Sequence, residues 1–149
     1  MSTDRIERTI VLYAPRSRVW RALTRADEFG AWFGVALEGA FVPGARLTGK
    51  LTVPDVEHLT MEITVERVEP EQLLSYRWHP YAIEPDVDYS HEPTTLVEFH
   101  LAEVAHGTQL TVVESGFDRI PLARRATAFR MNDQGWAEQL TRIERYVAT

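Results

Sequence analysis

The stretch RADEFGAWFGV, residues 25–35, carries three aromatic side chains within five positions, with a glycine on either side of the last two. A cluster this apolar is unfavourable in water, so it is expected to be buried. Phe29, Trp32 and Phe33 should therefore either close the end of a hydrophobic core or form one wall of a cavity. The surrounding sequence favours both roles together.

Two short helices are predicted around this cluster, after a first strand at residues 5–13. Pro15 ends the strand and is suited to opening a helix over residues 16–23. Asp27 is placed to cap a second short helix, which contains the aromatic cluster and should stop at Gly34. The cluster is thus expected to lie on the second helix.

The middle of the chain has the alternating pattern of an antiparallel sheet with one buried face. In HLTMEITVERV, residues 58–68, apolar side chains such as Met61 and Ile63 alternate with Thr and Glu. The pattern recurs in TTLVEFHLAEV and, after a short turn, in GTQLTVVESGF. Further strands are predicted at residues 35–40, 45–53 and 72–79. The total is about seven strands.

The last part of the chain changes to a helical period. From Ala123 onward, one side of a long amphipathic helix is formed by Phe129, Trp136, Leu140, Ile143 and Val147. Gly135 lies in a run of poor helix formers, and is expected either to bend the helix or to let it lie close to the sheet.

The predicted fold is therefore α+β, in one domain over residues 1–149. Its curved antiparallel sheet and its long C-terminal helix each have one apolar face, and these faces should pack together. A strongly twisted sheet around one helix rarely closes completely. The gap is expected at the end where the short helices lie, beside Trp32 and Phe33.

The composition excludes several classes of function. A formal charge of −6 argues against a nucleic-acid partner, which needs a clustered basic surface. The absence of cysteine excludes disulfides and thiolate chemistry, and fits a cytoplasmic location. No apolar run approaches a membrane span, and the N-terminus has no signal-peptide pattern.

Four segments resemble the bacterial single-domain relatives of the C-terminal domain of the activator of Hsp90 ATPase, within the START-like or Bet v 1-like (SRPBCC) superfamily. These segments are APRSRVWRALTRADEFGAWFG, VEPEQLLSYRW, GTQLTVVESGF and GWAEQLTRIERYV. The resemblance covers almost the whole chain. It implies a helix-grip fold with a deep, mainly apolar cavity. It does not imply one reaction, because members of the superfamily bind lipids, sterols, hormones or polyketides, and some are aromatase/cyclases.

Glu114 is the sharpest candidate for a polar group in this cavity. Strand alternation places it on the same face as Leu110 and Val112, which should point inward. A carboxylate there needs a donor or a raised pKa, and could orient a ligand hydroxyl or act as an acid or base. Two alternatives stay open: the strand turns Glu114 into solvent, or an arginine pairs with it.

The other candidates are apolar or aromatic. In the strand at residues 72–79, Tyr76 and Trp78 share the inner face and Arg77 the outer one, unless a bulge inverts them. Cavity walls and cores use the same residue types, so several candidates also fit a purely structural role. The residues expected to contact a ligand are Trp32, Phe33, Met61, Tyr76, Trp78, Phe99, Glu114, Phe129 and Trp136.

The segment WHPYAIEPDVDYSHEP, residues 78–93, is the most polar part of the chain. Its potential metal ligands are His79, Glu84, Asp86, Asp88, His91 and Glu92. Irregular spacing and internal prolines favour a solvated connection over a metal site, and a lid over the cavity mouth is a third interpretation. No metal and no cofactor is predicted.

Three functions fit these observations, and the first is preferred. It is the binding of a small apolar or aromatic molecule between the sheet and the C-terminal helix, without catalysis. The second is an enzyme of the polyketide cyclase or hydrolase kind using Glu114 and Tyr76, although no nucleophile or metal motif is present. The third is a chaperone-associated module with a protein partner. The chain is expected to be a monomer or a homodimer.

Overall fold

A computed structural model describes residues 4–79 and 91–148. The polar segment considered as a lid falls mostly on residues 80–90, outside the described residues. In chain order the elements are β1 (Arg5–Leu12), α1 (Arg16–Thr24), α2 (Ala26–Phe33), β2 (Arg46–Lys50), β3 (Thr60–Glu69), β4 (Leu73–Trp78), β5 (Thr95–Val104), β6 (Gly107–Ser115) and α3 (Leu122–Val147).

The strands form one antiparallel sheet in the order β1-β6-β5-β4-β3-β2. Met61, Ile63 and Val65 of β3 are buried while the residues between them are exposed, as the alternation predicts. The long helix α3 packs across the buried face and also contacts α1 and α2. This arrangement confirms the α+β helix-grip prediction.

The sheet has six strands in the described chain, so the predicted strand at residues 35–40 is wrong. That segment runs beside β2 but makes only two isolated bridges, Val35 with Leu51 and Glu38 with Thr48. Gly39 then takes a φ of 125°, which turns the chain away from β2 before a continuous ladder forms. The segment thus covers the edge of β2 without extending the sheet.

The two short helices are confirmed, but the predicted cap of the second is wrong. Only Arg25 separates α1 from α2, so it serves as the C-cap of one helix and the N-cap of the next. Asp27 therefore falls inside the first turn of α2, where its negative charge interacts favourably with the positive end of the helix dipole. The helix ends as predicted at Gly34, whose φ is 94°.

The C-terminal helix α3 is continuous over 26 residues and begins after Pro121. The expectation that Gly135 lets α3 lie close to the sheet is wrong, because a Cβ built there would meet nothing within 4 Å. Neither α3 nor any other helix in the described part of the chain is long and apolar enough to cross a membrane.

The aromatic cluster of α2 takes both expected positions. Phe29 and Trp32 are buried in the core, with their ring centroids 4.9 Å apart. The indole N–H of Trp32 donates to the carbonyl of Ala22 at 2.8 Å, which ties α2 to α1. Phe33, at the end of the helix, is stacked on Phe29 and faces a cavity with its other side.

Candidate functional site

A cavity of about 260 Å³ opens between the end of α2, the strands β3 and β4, and the middle of α3. A smaller recess of about 80 Å³ adjoins it, and the two share Phe33, Trp78 and Asn132. The larger part is lined by Phe33, Leu51, Leu59, Thr60, Met61, Glu62, Trp78, His79, Met131 and Asn132. The recess is completed by Gly135, Trp136 and Gln139.

The inner wall of the cavity consists of aromatic rings. Trp78 of β4 and Trp136 of α3 are stacked, with centroids 5.7 Å apart and planes inclined by 29°. Phe33 meets both indoles edge-on, at 6.1 and 6.3 Å. A second layer behind this wall contains Tyr76 and Phe99, which contact Trp78 and Trp136 respectively. Such edge and stacked contacts add to the free energy of apolar burial.

A buried carboxylate holds this wall in place. Glu114 of β6 is fully buried, and both of its oxygens accept hydrogen bonds from neutral donors. The indole N–H of Trp136 donates to Oε1 at 2.8 Å, and that of Trp78 donates to Oε2 at 2.7 Å. The Asn132 amide lies 2.9 Å from each oxygen, and the Thr95 hydroxyl donates to Oε2.

The inward orientation of Glu114 was predicted, but the nature of its partners was not. Neither alternative from the sequence holds, since the carboxylate is not in solvent and its partners in the described chain include no arginine. Burial raises the pKa of Glu114 above the ordinary glutamate value of 4.5, and the four surrounding donors offset part of this increase. Glu114 is absent from the described lining of the cavity and its recess, to which three of its donors, Trp78, Asn132 and Trp136, belong.

Tyr76 lies in the inner layer, as strand alternation predicts, while Arg77 turns outward to Glu66 at 2.7 Å. A register shift in β3 between Val65 and Arg67 does not invert these orientations. The Tyr76 hydroxyl is buried and has no hydrogen-bond partner in residues 4–79 and 91–148. Burial, followed by the nearby charge of Glu114, raises the pKa of this hydroxyl well above its ordinary value.

The nine predicted residues occupy three different environments. Phe33, Met61, Trp78 and Trp136 line the cavity or its recess. Tyr76, Phe99 and Glu114 are buried directly behind that lining. The remaining two, Trp32 and Phe129, lie elsewhere: Trp32 is in the core against α1, and Phe129 packs on Phe117 at 5.2 Å. Contact with a ligand stays a prediction for all nine.

Sequence reasoning missed the polar residues that α3 contributes, namely Asn132 and Gln139. They are seven residues apart and so lie two turns apart on one side of the helix, with Gly135 between them. Helix propensity alone identifies Asn132 and Gly135 only as poor helix formers. Polar residues on the inner side of an otherwise apolar helix are the signal that could have identified them.

The part of the chain that the structure describes contains no group of three or more histidine, aspartate or glutamate side chains able to hold a metal ion. His79 lies at the cavity, where its Nε2 is 3.1 Å from the carbonyl oxygen of Glu92. The described site is a mainly apolar and aromatic cavity whose polar side chains are Thr60, Glu62, His79, Asn132 and Gln139.

The family model described as "Activator of Hsp90 ATPase homolog 1-like protein" matches residues 13–148. The match includes every helix and every strand except β1. The chain belongs to this family. Members of this fold family bind ligands or act in polyketide cyclase-like roles, and the cavity of this AHSA1-like domain lies between the sheet and the long helix. Among curated proteins, none matches the sequence significantly.

Solved structures share the fold of this AHSA1-like domain. DynU16, a protein of the dynemicin biosynthetic locus, is 27% identical with a TM-score of 0.75 over 98% of this chain, which spans only 48% of DynU16. Protein MLL2253 from Mesorhizobium loti is 21% identical, with a TM-score of 0.77 and coverage of 97% and 96% of the two chains. The Aha1 dimer from Colwellia psychrerythraea is 18% identical, with a TM-score of 0.69 and coverage of 94% and 92%.

Proposed function

We propose that this AHSA1-like domain binds a small apolar or aromatic molecule in the cavity between β3, β4 and α3. The observation that carries the proposal is the cavity of about 260 Å³ with its adjoining recess, whose combined lining includes the stacked indoles of Trp78 and Trp136. Flat aromatic molecules gain both apolar burial and ring contacts against such a wall.

The arrangement of Glu114 and Tyr76 favours binding over catalysis. An acid–base enzyme using both groups needs them within hydrogen-bond reach of each other or of a shared substrate atom. Both oxygens of Glu114 are instead occupied by groups of the wall, and the Tyr76 hydroxyl is not hydrogen-bonded to it. The cyclase or hydrolase alternative therefore receives less support than the binding function.

The likeness to DynU16 gives the proposal a chemical direction. DynU16 is a protein from a biosynthetic locus. Its sequence is 27% identical to this one over 98% of the present chain. A domain that holds an aromatic intermediate or product would fit such a setting. A cytoplasmic location, and a monomeric or homodimeric state, remain predictions; the Aha1 protein from Colwellia psychrerythraea is described as a dimer.

A thermal-shift screen with naphthols, flavonoids, sterols and fatty acids tests the proposal. A ligand at 100 times its Kd adds about 2.7 kcal/mol to the free energy of unfolding. For a chain of this length that corresponds to a rise in Tm of about 5–10 °C. The aromatic classes are expected to give the largest shifts, and the absence of any shift from all four classes would contradict the proposal.

A substitution at Gly135 shows whether a bound ligand reaches the recess that adjoins this cavity. Because a Cβ there has open space and the residue lines the recess, Gly135→Leu should fill the recess without displacing the core. It is expected to weaken binding at least about tenfold, whereas the matched variant Gly135→Ala should retain most of the affinity. Equal affinity in the wild type and in Gly135→Leu would place the ligand outside the recess.

A further inference from the structure

The hydrogen-bond donors of the cavity wall are largely occupied within the protein. The indole N–H groups of Trp78 and Trp136 both donate to Glu114, at 2.7 and 2.8 Å. The amide nitrogen of Asn132 donates to the same carboxylate. An indole has no second N–H, so neither tryptophan has a donor left for a molecule in the cavity. Because they donate to Glu114, three groups of the wall are no longer available as hydrogen-bond donors to a ligand.

The same carboxylate fixes which way the amide of Asn132 faces. The amide nitrogen of Asn132 lies 2.9 Å from both carboxyl oxygens and donates to them, so the NH₂ group of Asn132 faces Glu114. Its oxygen Oδ1 is then directed away from Glu114 and accepts no hydrogen bond from any described residue. Since Asn132 lines both the main cavity and the recess, this oxygen is an acceptor at their junction.

A second amide on α3 repeats this arrangement two turns further along. The Gln139 nitrogen Nε2 donates to the carbonyl oxygen of Phe33 at 3.1 Å. Its oxygen Oε1 is buried and has no hydrogen-bond partner in the described chain, although Gln139 lines the recess. A buried acceptor without a donor lowers stability, so a donor brought by a ligand would remove an existing penalty.

The charged groups around the cavity disfavour an anionic ligand. Its described lining includes no lysine and no arginine, whereas Glu62 contributes a carboxylate at the outer part. Glu114 adds a second carboxylate directly behind the wall. A carboxylate or phosphate on the ligand would therefore meet acceptors and negative charge rather than a cation.

We propose that the cavity selects aromatic molecules that have no anionic group and carry a hydrogen-bond donor, a phenolic hydroxyl or a ring N–H, and that Oδ1 of Asn132 or Oε1 of Gln139 accepts that hydrogen bond. This inference rests on the proposed binding function and gives its ligand a chemical class. Glu114 acts in it as a positioning residue, because it orients the Asn132 amide and occupies the indole N–H groups.

Three probes of one ring system test the selection: 2-naphthol, its methyl ether 2-methoxynaphthalene, and 2-naphthoate. Titration calorimetry with the full chain at pH 7 should give 2-naphthol a Kd about 2- to 12-fold lower than that of the ether, as one net hydrogen bond provides. The carboxylate should bind most weakly. Equal affinities for naphthol and ether would overturn this inference while leaving the binding function intact. If none of the three probes binds, both the inference and the proposed binding function are contradicted.

Two variants locate the acceptor. Gln139→Met keeps the length of the side chain without its amide oxygen, and Asn132→Leu removes the other acceptor. The preference for 2-naphthol over the ether should fall in one of them and vanish in the double variant, while the Kd of the ether stays within about twofold. A preference that survives in the double variant would overturn the assignment. If that variant does not fold, Gln139→Met is compared with Gln139→Glu, which retains an acceptor and should retain the preference.

Discussion

At the scale of single residues, Glu114 is the group on which the site is organised. It sits near the end of β6, pairs in register with Val97 of β5 and Ile6 of β1, and collects hydrogen bonds from two other elements, β4 and α3. A buried charge without a cationic partner persists only where enough dipoles face it. Three of the four side chains that supply these dipoles line the cavity or its recess.

The Glu114→Gln variant should be less stable than the wild type. Each carboxylate oxygen receives an indole N–H, which can only donate, so an amide NH₂ in place of either oxygen leaves one buried donor facing another. We expect the free energy of unfolding to fall by about 1–3 kcal/mol, measured by urea denaturation at pH 7. The control Glu138→Gln, on the exposed side of α3, should change it by less than about 0.5 kcal/mol. A more stable Glu114→Gln would mean that the desolvation of the charge outweighs the donors.

The raised pKa of Glu114 gives this difference a pH dependence. Because the folded-state pKa lies above that of the unfolded chain, the folded protein binds the proton more tightly. The stabilisation from this group is fully present below the unfolded value of about 4.5 and is lost as the pH rises through the folded-state pKa. The free energy of unfolding of the wild type should therefore exceed that of Glu114→Gln by the largest amount near pH 4. Urea titrations of both proteins between pH 4 and 8 measure this, and a difference that grows with pH would contradict a pKa raised by burial.

At the scale of elements, the apolar side of α3 is interrupted where the continuous helix passes the cavity. Its apolar side is formed by Trp136, Leu140 and Ile143, all buried, but Asn132 and Gly135 break the pattern beside the recess. A glycine inside a helix costs stability relative to alanine, and at this position no close contact requires it. The space beside Gly135 is therefore available to a ligand at the expense of the helix.

Two glycines should respond to alanine in opposite directions. Gly135→Ala should raise the free energy of unfolding by up to about 1 kcal/mol, because the helix gains propensity and the new methyl group meets nothing. Gly49→Ala should lower it by more than that, since a Cβ in β2 would lie 2.1 Å from the carbonyl oxygen of Ala36. Urea denaturation of the two variants beside the wild type measures both effects. A destabilised Gly135→Ala would show that the gap is occupied in the folded protein.

The elements were largely predictable because their periods are regular. Alternation in β3, β5 and β6 and the helical period of α3 reproduce the observed positions within a few residues. The strand predicted at residues 35–40 was wrong because the segment has strand-like residues but makes only two bridges. Strand pairing depends on the partner strand as well as on the segment itself. The inward position of Glu114 followed from the same alternation.

The site was less predictable than the fold. That Glu114 would be held by Trp78, Thr95, Asn132 and Trp136 depends on four elements meeting, and no period within one element reports this. Phe129 shows the same limit, because its place in the helical stripe did not reveal that it faces Phe117 rather than the cavity. Local patterns give the face of a residue, whereas its partner depends on how the elements pack.

At the scale of the whole molecule, a second polar cluster joins the three helices away from the cavity. Glu28 of α2 accepts from Arg18 and Arg21 of α1, at 2.7 and 2.8 Å, and from the hydroxyl of Tyr146 of α3 at 3.1 Å. Arg18 also lies over the Tyr146 ring, 5.0 Å from its centroid. The end of α3 is thereby fixed to the two short helices, the second of which carries Phe33 of the recess.

The pairing of β1 with β6 sets the order in which the chain can assemble on the ribosome. β1 is made first, yet its one neighbour in the described sheet is a strand that begins about 100 residues later. At about 5–20 residues per second, Ile6 and Ile10 wait roughly 5–20 seconds for a partner to be synthesised. The growing chain can form the meander β2 to β5 in that time, while its first strand stays unpaired. The pairing of β1 with β6, and with it the burial of Glu114, therefore occurs late in the synthesis of the chain.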